Sequence, residues 1–312
     1  MQVCIVGPGA LGCLHAALLS RAGVTVSLLD YRPERARLID EWGVIVEEGG
    51  AAEVVSVRCA ADASDLPAAD LLILCVKTFQ TADAARRAAP LIRRNTALLR
   101  LQNGLASPDC LCELAPAERI VLGTSGHGAD TVGWGHIRHA GTGPTRIGPL
   151  VPQGMAAAEQ AAEVLRQALD DVEAVADAQV VLWQKLLVNA AVNPLTAITG
   201  LRNGQLLDVP LLRAALRDVA GEAEHVALAH RMPFTAGRAG LVAEDACRLT
   251  AANRSSMLQD VRAGRPTEIE DICGAVVREG EEAGIDAPLN RVLAWLVAEV
   301  LPKEVTKPRG SC

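Results

Sequence analysis

Aromatic side chains are scarce in this chain, whose 312 residues include one tyrosine, two phenylalanines and four tryptophans. Because 50% of the residues are nevertheless apolar, the core must be built from aliphatic side chains. Long apolar runs are also missing, since charge or glycine interrupts each of them, and we therefore expect no membrane span. No basic run is present and the formal net charge is −7, which argues against nucleic acid as the main partner.

The cysteines lack the pattern of a disulfide framework or a metal site. They are nine, an odd number, and are scattered, with Cys4 and Cys75 inside apolar stretches. This pattern is typical of reduced, buried thiols in a cytoplasmic protein. The close pair Cys110 and Cys112 has no second pair or suitable histidine nearby, so we expect no metal. A strand pattern begins at Gln2 and leaves no room for a signal peptide, which adds to the expectation of a cytoplasmic location.

A glycine-rich loop stands where dinucleotide-binding folds require one. The segment Gly7-Pro8-Gly9-Ala10-Leu11-Gly12 follows a strand pattern at 2–6 and opens a helical pattern at 10–22. In such a loop the first glycine permits a tight turn, the second lets backbone approach a pyrophosphate, and the third lets the helix pack on the sheet. The helix directs its positive N-terminal dipole at the anion. This context predicts a Rossmann-type fold.

The rest of the first half alternates strand and helix patterns. Helical stretches, such as 32–42 and 81–91, lie between apolar runs typical of strands covered on both faces. Those runs are residues 2–6, 25–29, 44–46, 54–57, 71–76, 97–101 and 120–123. The alternation predicts an α/β fold with a doubly wound parallel sheet. From residue 178 onward the patterns are almost entirely helical, so we expect a dinucleotide-binding domain over 1–170 and an all-α substrate domain over 171–312.

A polar stripe crosses one of the apolar helical patterns of the second half. Lys185, Asn189 and Asn193 are spaced four residues apart, which places all three on one helix face. A buried lysine can donate a proton with a pKa that responds to desolvation and neighbours, and asparagines can hold a carbonyl or hydroxyl. The alternative is a solvated face with a snorkelling lysine. The two asparagines disfavour it, because helix interiors rarely accommodate such residues unless their amides have partners.

Two further motifs are ambiguous by pattern. The stretch 253–268, which includes Ser255, Ser256 and Glu268, fits either a binding site or a capped helix end with solvated charge. Gln102-Asn103-Gly104 ends a strand at the edge where parallel sheets bind ligands, but Asn-Gly by default marks a turn. Both alternatives stay open on pattern alone.

Together these motifs resemble the ketopantoate reductases (2-dehydropantoate 2-reductases), and the resemblance runs essentially end to end. The matching elements are Gly7-x-Gly9-Ala10-Leu11-Gly12, Cys75-Val76-Lys77-Thr78, Gln102-Asn103-Gly104, Lys185-x3-Asn189-x3-Asn193-Pro194, Ser255-Ser256-Met257-Leu258-Gln259-Asp260 and Thr267-Glu268-Ile269. The Lys-x3-Asn element is shared with β-hydroxyacid dehydrogenases, whereas the serine-rich stretch followed by its glutamate is far more specific. The implied fold is a Rossmann-type domain with a C-terminal all-α domain, similar to that of 6-phosphogluconate dehydrogenase.

The resemblance implies NADPH-dependent reduction of 2-dehydropantoate to (R)-pantoate, a step toward pantothenate and coenzyme A. Lys185 would be the general acid that protonates the keto oxygen, and Glu268 would position it and contact a substrate hydroxyl. The 2-oxo acid would be held by Asn103, Asn189, Asn193 and Ser256. The cofactor would be held by Gly7, Gly9, Ala10, Leu11, Gly12, Asp30, Arg32, Lys77 and Asn103.

The adenosine end of the cofactor site departs from the family's common pattern. The family usually uses NADP(H), often with an arginine just past the second strand. Here Asp30 ends that strand and is followed by Arg32, Arg35 and Arg37. An acid at this position accepts the ribose hydroxyls of NAD(H) and repels a phosphate, whereas Arg32 can clamp a 2′-phosphate if Asp30 turns away. We favour NADP(H), with NAD(H) as the alternative.

The sequence gives little support for the other proton donors that dehydrogenases use, a tyrosine with a lysine or a histidine. The only tyrosine, Tyr31, lacks a lysine four residues on, and nothing marks His127, His136 or His139 as paired with a carboxylate. We expect these histidines at surface or loop positions. The alternatives left open are a paralogous reductase of another 2-oxo or 3-hydroxy acid and a non-catalytic nicotinamide-binding sensor. The apolar helices of the second half are compatible with a homodimer.

Overall fold

The computed structural model describes residues 1–300 of the chain. Two compact units are present, the first covering Met1–Leu182 and the second beginning at Trp183. From the sequence we expect the boundary between the dinucleotide-binding domain and the substrate domain after residue 170. This functional boundary differs from that of the compact units and stays a prediction. Residues 301–312, which that division assigns to the second domain, lie outside the described residues.

Strands build most of the first unit. In chain order the twelve strands of the described residues are β1 (Gln2–Val6), β2 (Thr25–Leu29), β3 (Val44–Glu48), β4 (Ala51–Val55), β5 (Arg58–Ala60), β6 (Leu71–Leu74), β7 (Ala97–Leu101), β8 (Ile120–Ser125), β9 (Gly128–Gly133), β10 (His136–Gly141), β11 (Thr145–Pro149) and β12 (Val172–Ala174). Eight form a large sheet in the order β12-β11-β8-β7-β6-β1-β2-β5. It is parallel from β5 to β8, and β11 joins it antiparallel to β8.

Helices cover the large sheet and make up the second unit. In chain order those of the described residues are α1 (Ala10–Arg21), α2 (Pro33–Trp42), α3 (Thr81–Ala88), α4 (Asp109–Cys112), α5 (Met155–Arg166), α6 (Ala178–Thr199), α7 (Gln205–Asp208), α8 (Pro210–Ala229), α9 (Ala239–Leu249), α10 (Ser256–Arg262), α11 (Ile269–Ala283) and α12 (Pro288–Val300). The boundary between the units falls inside α6. None of these helices combines the length and apolar character needed to cross a membrane.

Burial on both faces explains why the central strands are almost continuously apolar. Val3 and Ile5 of β1 enter one core cluster, which includes buried residues of α1 and α5. The alternate residues Cys4 and Val6 enter a second cluster, which includes alanines of α3. A strand with side chains in two cores has no polar face. The predicted α/β class, with a parallel sheet and a helical C-terminal region, is confirmed.

Two predicted strands belong to a separate sheet. The runs at 44–46 and 54–57 contribute to β3 and β4, which pair antiparallel in a four-stranded sheet of order β4-β3-β10-β9. Gly49 and Gly50 join them with φ of 59° and 86°. Positive φ at both central residues suits a tight hairpin, and a hairpin cannot make the helical crossover that a parallel sheet needs.

Candidate active site

The glycine loop joins β1 to α1 and leaves room for an anion. Gly7 has a φ of 97°, which favours glycine, and a Cβ on Gly12 would lie 2.1 Å from the Gly7 carbonyl oxygen. A Cβ on Gly9 would meet nothing within 4 Å. No side chain caps the first turn of α1. Open space beside uncapped N–H groups is what a pyrophosphate requires, so these residues fit a dinucleotide.

Gln102 joins the two loops that carry Lys77 and Asn103. These residues follow β6 and β7, which are neighbours in the parallel sheet, and β6 also pairs with β1, so their loops meet at one sheet edge. The Gln102 side chain is buried, and its Nε2 donates to the Val76 carbonyl at 2.7 Å and to the Thr81 hydroxyl at 2.9 Å. The residues beside Lys77 and Asn103 are therefore held to each other. Sequence reasoning missed this role, because Gln102 looked like the start of a turn.

Asp30 is engaged within the protein, whereas Arg32 is accessible. The Asp30 carboxylate is fully buried and accepts hydrogen bonds from Nε and Nη2 of Arg35 and, at 3.2 Å, from the Arg32 backbone N–H. The exposed Arg32 side chain donates from Nε to the Tyr31 hydroxyl at 2.6 Å. Its guanidinium carbon lies 5.1 Å from the centre of the Tyr31 ring. From the sequence, Arg35 is only one member of the arginine cluster, and its bonds to Asp30 are not predicted.

The polar stripe of α6 is only partly open to solvent. Lys185 and Asn189 are half-buried and Asn193 is buried. Burial lowers the pKa of Lys185 to about 8, and the charge of Glu268 opposes that shift. A snorkelling lysine would keep its ammonium hydrated, so desolvation of Lys185 disfavours that alternative.

The ambiguous stretch 253–268 contains both a helix cap and an exposed hydroxyl. The Ser255 Oγ accepts from the Leu258 N–H at 3.1 Å and hydrogen-bonds with the Thr196 hydroxyl of α6 at 2.6 Å. This pair ties the start of α10 to the same helix that carries Lys185. Ser256, the first residue of α10, is exposed. Of the two serines, the first has a structural role and the second is open to a ligand.

Glu268 and Thr267 lie at the start of α11. Glu268 is the N-cap residue and is buried, like Thr267 before it. The Thr267 hydroxyl has no hydrogen-bond partner among the described residues. A buried hydroxyl without a partner costs about 1–3 kcal/mol, so a ligand or an ordered water is expected to complete it. The sequence motif does not reveal that the Thr267 hydroxyl is buried.

The histidines between 127 and 139 differ from expectation. His136 Nε2 lies 2.9 Å from a Glu47 carboxylate oxygen, and His139 Nδ1 lies 2.6 Å from one of Glu48. No sequence pattern marks a carboxylate partner for His136 or His139, yet each has one in the structure, and both lie in strand β10. The register of β10 beside β3 brings the pairs together across 89 and 91 residues of sequence, which no local pattern reveals.

Thiols and metal ligands add no further group to the site. Eight cysteines are described, and all are free thiols. Burial raises the pKa of Cys4, Cys13 and Cys75 to about 12, which keeps these thiols uncharged. Within residues 1–300, no cluster of three or more His, Cys, Asp or Glu side chains could hold a metal ion.

Comparison with known proteins identifies the family. The family model described as "Ketopantoate reductase PanE/ApbA" matches residues 3–152, and its C-terminal counterpart matches residues 177–300. The chain belongs to the ketopantoate reductase family. A 2-dehydropantoate 2-reductase of Archaeoglobus fulgidus is 37% identical over 299 residues, which cover 96% of this chain and 97% of the relative. The resemblance inferred from the motifs is confirmed.

Solved structures share the fold over nearly the whole chain. A PanE/ApbA family ketopantoate reductase from Ralstonia eutropha matches with a TM-score of 0.84 and 33% identity, covering 96% of this chain and 98% of that one. The complex of D-mandelate dehydrogenase with NADH matches with a TM-score of 0.86 and 25% identity, with the same coverage. The fold of this chain is therefore similar both to that of a ketopantoate reductase and to that of a D-mandelate dehydrogenase.

Proposed function

We propose that this ketopantoate reductase family member reduces 2-dehydropantoate to (R)-pantoate with NADP(H), in pantothenate and coenzyme A biosynthesis. The observation that carries the proposal is the desolvation of Lys185, which shares a helix face with Asn189 and Asn193. The charge of Glu268 interacts with its amine. The relatives named 2-dehydropantoate 2-reductase support the choice of substrate.

Lys185 is the general acid in this proposal. Reduction of a ketone develops negative charge on its oxygen, and an ammonium about 3 Å away stabilises that charge and delivers the proton. Desolvation lowers the pKa of Lys185 to about 8, which makes it a better donor than an ordinary lysine. Glu268 keeps the amine protonated near neutral pH by opposing this shift.

Polar groups without charge hold the substrate in this proposal. Asn189 and Asn193 present amides on the Lys185 face of α6, and Ser256 presents its hydroxyl at the start of α10. Asn103 contributes a further amide. Asparagine and serine can donate to the carboxylate and accept from the hydroxyl of a 2-oxo acid. Thr267 supplies a buried hydroxyl that lacks a partner among the described residues.

The cofactor is proposed to bind at the glycine loop. The bound nicotinamide supplies the hydride. Gly7, Gly9, Ala10, Leu11 and Gly12 hold the pyrophosphate. Lys77 and Asn103 stand at the nicotinamide end, and Arg32 meets the 2′-phosphate. Residues 1–170 thus form the proposed cofactor domain and 171–312 the proposed catalytic domain. NADP(H) is favoured over NAD(H) because the Asp30 carboxylate is already engaged by Arg35.

Replacing the general acid tests the mechanism. We expect Lys185→Met to lower kcat for ketopantoate reduction about a thousandfold, because general acid catalysis contributes about 100- to 10,000-fold. NADPH binding, measured by fluorescence titration, should change little. An Asn203→Ala variant, in the same unit but outside the proposed site, controls for effects of substitution. Turnover of Lys185→Met equal to that of the wild-type protein would refute the mechanism.

The likeness to D-mandelate dehydrogenase favours a second candidate, a reductase of another 2-oxo acid. Comparing kcat/KM for ketopantoate with the values for ketoisovalerate and phenylglyoxylate distinguishes the two. A higher value for either competitor would overturn the ketopantoate assignment and leave the proposed acid in place. Tight nucleotide binding without turnover of any 2-oxo acid would instead indicate a nicotinamide-binding sensor.

A further inference from the structure

We propose that Arg35 makes the adenosine end of the cofactor site selective for a 2′-phosphate, by neutralising Asp30. This inference rests on the proposed nucleotide binding and deepens it. Asp30 occupies the end of the second strand, where a free carboxylate ordinarily accepts the ribose hydroxyls of NAD(H) and repels a phosphate. Arg35 is thus a positioning residue for cofactor choice, acting through Asp30.

The Asp30 carboxylate is largely occupied within the protein, because three of its roughly four acceptor positions are filled. One oxygen accepts from Arg35 Nε, and the other accepts from Arg35 Nη2 at 2.6 Å and from the Arg32 N–H at 3.2 Å. The side chain has 0% of its surface exposed. The backbone is fixed as well, since the Asp30 N–H donates to the Ala60 carbonyl at 3.0 Å in the neighbouring strand β5. Asp30 cannot turn outward unless Arg35 releases it.

Arg35 is suited to hold that carboxylate. It lies in the first turn of α2, five residues after Asp30, and uses two nitrogens of its planar fork on the two carboxylate oxygens. Burial opposes its charge, but the hydrogen bonds and the charge of Asp30 raise the pKa of Arg35 above its ordinary value. Arg35 is therefore held as a cation beside Asp30.

An exposed cation, Arg32, stands beside the paired Asp30 and Arg35. Asp30 and Arg35 cancel, and the exposed guanidinium of Arg32 lies next to them on the Tyr31 ring. A phosphate at the ribose 2′ position would meet Arg32, and the Asp30 carboxylate beside it would already be held by Arg35. Arg35 itself is poorly placed to bind the phosphate, since its side chain is 16% exposed and its fork is directed at Asp30.

Nucleotide fragments isolate this end of the site from catalysis. The experiment measures the affinities of 2′,5′-ADP and 5′-AMP by calorimetry for the wild-type protein, Arg35→Met, Asp30→Asn and the double variant. We expect Arg35→Met to weaken 2′,5′-ADP about tenfold, because an uncompensated carboxylate then faces the phosphate, and to change 5′-AMP far less. Asp30→Asn alone should keep the preference, and the double variant should regain it to within about threefold.

Arg58→Met provides the matched control. Arg58 pairs with Asp40 at 2.9 Å in the same unit, but both side chains are at least one-third exposed, so its loss should leave both affinities unchanged. Unfolding curves identify any variant that fails to fold. If a single variant does not fold, the double variant still tests the inference, because it buries no unpaired charge.

The outcomes separate this inference from the proposed reaction. It is overturned if Arg35→Met keeps the full preference, if the double variant does not recover, or if the wild-type protein does not prefer 2′,5′-ADP. Failure of the double variant to recover would mean that Arg35 contacts the phosphate directly. Absence of ketopantoate turnover with these affinities intact would refute the reaction and leave the inference standing.

Discussion

At the scale of single residues, the proposed chemistry depends on groups whose surroundings alter their charge. Lys185 is the clearest example, because burial and a carboxylate act on its amine in opposite directions. Burial favours the neutral amine and Glu268 favours the ammonium, and burial is the larger effect. A lysine balanced in this way can give up its proton near physiological pH, which an exposed lysine does poorly.

The pH dependence of reduction should follow from this balance. In the proposed mechanism the ammonium is the active form for reduction, so kcat/KM should be level below a pH of about 8 and fall tenfold per unit above it. Because the carboxylate raises the pKa of Lys185, Glu268→Gln should move the break to lower pH. Steady-state rates across pH 5.5 to 10 measure both profiles, with a stability check at each pH. A break that stays in place in the variant would contradict the role given to Glu268.

At the scale of elements, α6 carries its polar stripe past a proline. Pro194 lies inside the helix and lacks the N–H that would bond to the Ala190 carbonyl. That carbonyl instead receives the buried Cys273 thiol of α11, with sulfur 3.5 Å from oxygen. The Thr196 hydroxyl donates nearby to the Val192 and Asn193 carbonyls at 3.0 and 2.9 Å. A thiol of α11 thus replaces the hydrogen bond that Pro194 cannot make.

A second element-scale feature is the carboxylate that joins α8 to α9. Glu244 of α9 is buried, and Arg213 and Arg217 of α8 and Arg248 of α9 donate to it at 2.5–2.7 Å. We expect Glu244→Gln to lower the free energy of unfolding by about 2 kcal/mol, at the low end for buried pairs because the arginines are partly solvated. Urea denaturation measures this loss.

The same carboxylate should make stability depend on acid pH. Hydrogen bonds from the arginines, Arg213 first, lower the pKa of Glu244 to about 2, against an ordinary value of 4.5. Its contribution is therefore complete above pH 4.5 and is lost as the pH falls toward 2. Asp245→Asn is the matched control, since Asp245 is exposed and also pairs with Arg248, and should change stability by less than about 0.5 kcal/mol. Equal losses in both variants would contradict the argument.

The sequence predicted the elements that local pattern determines. The glycine loop, the central strands and the spacing of Lys185, Asn189 and Asn193 all follow from periods and motifs that a few neighbouring residues define. What it could not predict depends on partners distant along the chain. The histidine–glutamate pairs, the Cys273 contact and the burial of Thr267 each require knowing which strands or helices meet. The Asp30–Arg35 pair spans only five residues, but two other arginines nearby made its partner ambiguous.

At the scale of the whole molecule, net charge and local charge act in opposite directions on an anionic ligand. The chain carries a formal charge of −7, which repels a nucleotide. In the proposed site, the exposed Arg32 beside the paired Asp30 attracts it. The net charge is spread over a protein of 32.7 kDa, and salt screens charges separated by more than about 8 Å at physiological ionic strength. An arginine in contact with a phosphate is screened less, so the local attraction should dominate.

Salt dependence distinguishes the two effects. Raising the salt concentration from about 0.05 to about 0.5 M should weaken 2′,5′-ADP binding roughly fivefold, because it screens the contact between arginine and phosphate. In Arg32→Ala the binding should be weaker at low salt and nearly independent of salt, since the main attractive charge is gone. Calorimetric titrations at four salt concentrations measure both slopes, with 5′-AMP as the reference ligand. Tighter binding of 2′,5′-ADP at higher salt would mean that the negative charge of the whole molecule outweighs its local arginine.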